Sequence, residues 1–348
     1  MQIKAAKQTA IRWVMEHAST EIGFRGAYFS GSTIGMSDWA ELPPSSDIDI
    51  VIVTAGDVAP PKLGKFLYSG VLLEVTYLSR RELASAEEVL GSYHLAGSFR
   101  MDTIIADPEG YLRKLQADVA RHYAEAAWVR RRCSDALLRI ENGLRAIDAD
   151  APLHDKVTSW LFPTGVTTHV ILVAALRNPT VRLRYLAARE TLADYGQSEL
   201  YSEFMRLLGC TNLTPERAEA HLDELSCTFD LAAAAGRTPF FFSSDITPAA
   251  RSIAIDGSRA LIQDGSHREA VFWIIATFAR CHKILAADAP GWHAERLPAF
   301  QAAIAELGIT STAELFKRAE AVTAFLPALR EAAEAILSNN PAVVHGTA

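Results

Sequence analysis

Strand-forming sequence is confined to the first third of this 348-residue chain, and no other feature limits its possible folds as much. Before Asp107-Pro108, short runs rich in β-branched and aromatic residues read as strands: Arg25–Ser30 (RGAYFS), Asp47–Thr54 (DIDIVIVT), Ser69–Leu78 (SGVLLEVTYL) and Thr103–Ala106 (TIIA). Ile3, Ala6, Ala10, Trp13, Val14 and His17 fall on one stripe and predict a helix over residues 3–20; Arg81–Leu90 predicts another. Residues 33–46, with Gly35, Pro43, Pro44, Ser45 and Ser46, read as a loop, and AGDVAPPKLGK as a Pro/Gly-rich connection. From Glu109 onward the patterns are helical: 109–148, 153–176, 180–195, 197–209, 215–235, 247–263, 266–288, 294–307 and 312–338. Arg237–Ser243 (RTPFFFS) alone reads as a loop or extended piece. The expected fold is therefore α+β: a small mixed-sheet domain over 1–108, then a larger all-helical domain over 109–348.

Composition narrows the function classes. Hydrophobic residues make up 49% and charged residues 22%, enough apolar material for a sizeable core. A net charge of −7 argues against a general nucleic-acid binder, which carries a basic face, so no stable nucleic-acid partner is expected. Cys133, Cys210, Cys227 and Cys281 form no CxxC knuckle and read as reduced, mostly buried thiols of a cytosolic protein. The N-terminal MQIKAAKQTAIRWVMEHAST has charges throughout, unlike a signal peptide. Val271–Ala287 is interrupted by Arg280, His282 and Lys283 and reads as a core helix rather than a membrane span. The expected location is cytoplasmic, with no membrane partner.

The chemistry concentrates in the second strand. Alternation places Asp47, Asp49, Val51 and Val53 on one face and Ile48, Ile50 and Ile52 on the other. Two carboxylates at a strand mouth repel unless something cationic lies between them. Hard divalent ions reverse that sign: Mg²⁺ takes oxygen ligands and is commonly shared between carboxylates and substrate phosphates. A pair of such ions clamps the attacking and leaving oxygens of a phosphoryl transfer. Glu74 supplies a third acid from inside the apolar run VLLEVTYL, on a face with Leu72 and Thr76. Upstream, Ser30, Gly31 and Ser32 end a strand in a turn, where glycine admits a phosphate close to backbone N–H groups. Ser46 immediately precedes Asp47, and Lys65 follows Gly64 nearby; both join the candidate nucleotide contacts.

The order Gly31-Ser32, a loop, Asp47-Ile48-Asp49 on a strand, and Glu74 on a later strand resembles the nucleotidyltransferase superfamily of DNA polymerase β. The small-molecule members, the aminoglycoside and lincosamide nucleotidyltransferases, share the plan of a small mixed domain followed by a helical one. The motif covers residues 24–107, and the likeness beyond is architectural. One departure is the fourteen residues between Ser32 and Asp47, more than the pattern leads one to expect. The resemblance implies a Mg²⁺-dependent enzyme, with two ions, that transfers a nucleoside monophosphate, AMP from ATP first, to a hydroxyl of a small molecule such as an aminoglycoside-like antibiotic. It implies Asp47 and Asp49 as metal ligands, Gly31 and Ser32 as triphosphate holders, and Glu74 as a metal ligand or general base. It places the substrate in a cleft between domains. Two rival readings keep the fold: an enzyme that modifies a protein or RNA, as in toxin–antitoxin systems, and an inactive nucleotide-binding regulator.

Other residues carry two readings each. Arg130, Arg131 and Arg132 either reach a triphosphate or form a solvated helix face with packed stems. His94 and Arg100 lie in GSYHLAGSFR, a closing loop or a plain connector. His267 and His282 sit on a core helix, where a structural histidine is the usual role. Glu190 and Asp194 share a helix face, and Phe240, Phe241 and Phe242 are core or stacking residues.

Overall fold

β-Branched runs become strands here because their stiff side chains fill a pleated surface. The computed structural model describes residues 1–346. Its N-terminal part holds β1 (Phe24–Ser30), β2 (Ile48–Thr54), β3 (Gly64–Tyr68), β4 (Val71–Ser79) and β5 (Ile104–Ala106). They form one mixed sheet in the order β3-β4-β2-β1-β5. β2 and β4 run parallel; the other neighbours are antiparallel. Helix α1 (Ile3–Glu16) lays Ala6, Ala10, Trp13 and Val14 on the sheet face formed by Ile48, Ile50, Ile52, Leu73 and Val75. Each isoleucine buried there contributes roughly 1.5–3 kcal/mol. The isoleucine face is thus committed to the core, and the aspartates must project from the other.

One strand departs from the reading of the sequence. The stretch read as a Pro/Gly-rich connection ends in β3, and the third strand begins at Val71 rather than Ser69. Ser69 and Gly70 take positive φ of 48° and 79° and close a hairpin between β3 and β4. Two adjacent residues in that region suit the twist of a two-residue hairpin, and a Ser-Gly pair supplies it. The helix read over Arg81–Leu90 divides into a 3₁₀ turn (Arg80–Leu83) and α2 (Ala86–Gly91), because Ser79 and Ser85 each cap a separate start. Short α3 (Ala96–Phe99) packs on β1, with the Phe99 ring 4.7 Å from that of Tyr28.

The remainder is helical: α4 (Tyr111–His122), α5 (Ala126–Arg145), α6 (Leu153–Ala174), α7 (Arg184–Asp194), α8 (Ser198–Leu208), α9 (Pro215–Ala235), α10 (Gly257–Gln263), α11 (His267–Asp288), α12 (Pro290–Glu306) and α13 (Thr312–Asn339). The helix read over 247–263 keeps only its end as α10; Pro248–Ala250 is 3₁₀ and Ser252–Asp256 a π-turn. Two compact units result. One comprises Met1–Arg132 and the segment beginning at Ala342; the other is Cys133–Pro341. The first extends past the last strand because α4 and the start of α5 pack with it. Arg132 is buried there, donating to the carbonyls of Leu90 at 3.2 Å and Tyr123 at 2.6 Å. In the second unit, α11 packs on α9, α6 and α12, and α13 on α6. Helices α6 and α11 are long and apolar enough to cross a membrane, but 78% of each apolar window is buried inside the protein, so they act as its core helices.

Candidate functional site

The sheet register assembles the site. Asp49 of β2 pairs with Ser30 of antiparallel β1 and with Glu74 of parallel β4. Glu74 in turn pairs with Lys65 of β3. Directly paired residues share a face, so Lys65, Glu74, Asp49 and Ser30 form one lateral row across four strands. Asp47 lies one step along the same face, just before β2, where a turn closed by Ser46 N–H donating to Pro43 O at 3.0 Å delivers the chain. One carboxylate oxygen from each of Asp47, Asp49 and Glu74 lies within 4.8 Å of the other two. The three acids singled out in the sequence therefore meet.

Two lysines accompany them. Lys65 Nζ sits 3.1 Å from Asp47 Oδ2 and donates to Glu74 Oε2, while Lys62 Nζ donates to Glu74 Oε1. Among the described residues, no Lys, Arg or His nitrogen lies within 4.0 Å of an Asp49 oxygen. The electrostatics follow this division. Burial would raise the Glu74 pKa, but the ammoniums of Lys65 and Lys62 outweigh it and hold the carboxyl at about 2. Burial raises Asp47 despite Lys65, with Glu74 adding repulsion. Burial, then the charges of Asp47 and Glu74, push Asp49 well above the usual carboxylate range. Among the described residues, Asp49 is the acid of the set with no direct ion pair, and Lys65 offsets its charge only in part.

The glycine turn reaches the same place. Gly31 has φ 71° and ψ −160°, a conformation open essentially to glycine alone. A Cβ on Gly31 would fall 1.7 Å from Asp49 Oδ2, so the backbone lies directly on that carboxylate. Ser32 starts a 3₁₀ turn (Ser32–Gly35) and is exposed. Ser30 Oγ accepts from Ser98 Oγ at 3.1 Å, which ties α3 to the site. The Arg100 guanidinium lies beside this turn: a Cβ at Gly35 would meet its Nη2 at 3.4 Å. His94 is exposed and pairs with Ser92 at 3.0 Å.

The remaining candidates come from α5 onward in the chain. Arg130 and Arg131 are exposed, and Arg131 lies over the Trp128 ring at 5.5 Å. Arg132 is neither solvated nor available to a ligand, since it serves buried carbonyls. Glu190 and Asp194 are exposed, with Asp194 paired to Arg177. His267 meets Leu213 O at 2.9 Å, His282 is fully buried, and Phe242 is buried beneath an exposed Phe241. Lys62 is the site residue that sequence reasoning missed. The signal was Ser69-Gly70: a hairpin closed there sets Lys65 opposite Glu74 and brings Lys62 near. No protein-family model matches the chain, and no curated protein matches it in sequence.

Proposed function

We propose that the chain is a divalent-cation-dependent nucleotidyltransferase that moves a nucleoside monophosphate, AMP from ATP first, to a hydroxyl of a small molecule in the cytoplasm. The observation that supports this reading is the lateral row of Ser30, Asp49 and Glu74, with Asp47 beside it, set against the backbone of Gly31. The donor set fits a hard cation: three carboxylates converge, and Asp49 has no cationic partner within ion-pair distance among the described residues. Asp47 and Asp49 would hold Mg²⁺, and Glu74 completes the acid set while anchoring Lys62 and Lys65. Magnesium, when bound, neutralises charge on the phosphoryl oxygens. Gly31 lets a polyphosphate approach the backbone, and the Ser32 hydroxyl is exposed to meet it. In the reaction the acceptor oxygen bonds to the α-phosphorus, the bond to pyrophosphate breaks, and the hydroxyl proton passes to solvent water.

The test is pyrophosphate release by the purified protein with Mg²⁺ and each nucleoside triphosphate. Aminoglycosides lead the acceptor panel, since cationic acceptors suit a net charge of −7. Lincosamides, RNA and protein acceptors form the other arms. The expected result is release that needs both metal and a small acceptor, with the acceptor gaining one nucleotide by mass spectrometry. Absence of any metal-dependent nucleotide binding would sink the reading. Transfer to RNA or protein alone would replace its acceptor.

A further inference from the structure

The triad is not uniformly open to cations. Lys65 Nζ bridges Asp47 Oδ2, at 3.1 Å, and Glu74 Oε2, and Lys62 takes the other Glu74 oxygen. Asp49, with one carboxylate oxygen within 4.8 Å of an oxygen of each of the other two acids, has no ion partner within 4.0 Å among the described residues. A second divalent ion drawing on Asp47 and Glu74 would have to take the position between them, and there the protein already has an ammonium.

We propose that Lys65 is a resident cation that stands in for a second metal ion, so that the site binds one divalent ion, centred on Asp49 and shared with Asp47. The placement of Lys65 is fixed by more than its side chain. Its backbone is locked opposite Glu74 in the β3–β4 register, and its side chain is only 8% exposed. A buried ammonium expelled from its carboxylates must find another anion or remain unpaired in a poorly solvated place, so a metal ion does not displace it cheaply. Charge balance agrees. Among the described residues, three carboxylates facing two ammoniums leave a single negative charge, which one divalent ion more than neutralises and a polyphosphate then restores. A second divalent ion would leave the same pocket strongly positive before any substrate arrived. The departure is from the two ions that the resemblance implies, and the inference rests on the metal-dependent reading above, not on the identity of the acceptor.

Mn²⁺ binding to the full chain, counted by the electron paramagnetic resonance signal of the free ion, tests it. The expected stoichiometry is one ion per chain for the wild type and for Lys62→Met, and two for Lys65→Met, with Lys65→Arg returning to one. Two ions in the wild type overturn the proposal, as does a single ion in a folded Lys65→Met protein. Should Lys65→Met fail to fold, Asp49→Asn decides: it is expected to lose the ion altogether, and an ion retained there at wild-type affinity overturns the placement. Failure of the nucleotidyl-transfer reading looks different. A one-to-two change in ion count with no nucleotide transfer leaves this inference standing and removes only that reading; no ion in any variant removes both.

Discussion

Asp49 and Glu74 sit side by side in one row, yet the structure gives them opposite energetic roles. Asp49 is half-buried against two other acids and, among the described residues, has no ion partner within 4.0 Å, so its charge strains the metal-free protein. Glu74 clasps two ammoniums, so its charge holds the β3–β4 edge together. Asp49→Asn is therefore expected to leave metal-free stability at pH 7 unchanged or higher while lowering transfer by about 10²-fold or more, the scale of losing one electrostatic stabiliser. Glu74→Gln is expected to destabilise the fold by about 3 kcal/mol, the lower end for breaking a buried pair, because Lys65 retains Asp47. Urea melts of both variants with chelator present check the pair. Equal losses in the two would show that the lysines do not divide the acids as described.

At the level of elements, the site depends on how β1 ends. Gly31 combines a glycine-only conformation with contact between its backbone and the Asp49 carboxylate. Gly31→Ala is expected to cost about 1–3 kcal/mol from backbone strain alone. It should also turn Asp49 aside, since a Cβ and Oδ2 cannot share a 1.7 Å separation. Mn²⁺ affinity is then expected to fall further than stability. A variant with wild-type Mn²⁺ affinity would mean that the turn does not shape the metal site. The β3–β4 hairpin is the other element on which the site relies. Its Ser69-Gly70 loop sets the register that brings Lys65 to Glu74, and a slip of one residue would place Lys65 on the opposite face.

For the whole molecule, the acid side of the stability curve is set by groups in both units. His169 is held at about 3 by burial and then by the Arg184 guanidinium; His282 is held at about 3 by burial and then by His293 and His154. Both are therefore neutral in the folded chain at moderately acid pH, whereas an unfolded histidine takes up a proton near pH 6.5. Between those values the unfolded state binds more protons, so stability falls as pH falls below 6.5. At pH 5 each contributes a loss of about 2 kcal/mol. Glu74 acts later: its stabilisation is present above the ordinary carboxylate pKa and is lost as pH falls toward about 2. His282 is fully buried, neither ring nitrogen has a hydrogen-bond partner among the described residues, and its ring stacks on Phe300 at 4.7 Å. His282→Phe is thus expected to recover about 2 kcal/mol of the loss between pH 7.5 and pH 5. Parallel stability curves for variant and wild type over that range would contradict it.

Sequence alone determined what local physics determines. The aromatic-bearing run at Phe24–Ser30 and the stiff β-branched run at Ile48–Thr54 are strands, α9 (Pro215–Ala235) has the bounds its pattern implied, and alternation committed Ile48, Ile50 and Ile52 to the core, which forced Asp49 to the other face. That the three acids meet was legible as soon as their strands were taken to be neighbours. What only the tertiary structure decided is lateral: which strand lies beside which, and in what register. β3 was hidden because a five-residue edge strand beside prolines carries little local signal, and the partners of Glu74 came with it. Residues distant along the chain exchange their hydrogen bonds and charges only when the sheet closes. The pairing of Lys65 with Asp47 and Glu74, an Asp49 with no direct ion pair among the described residues, and the Gly31 backbone upon it are consequences of that closure rather than of any single segment.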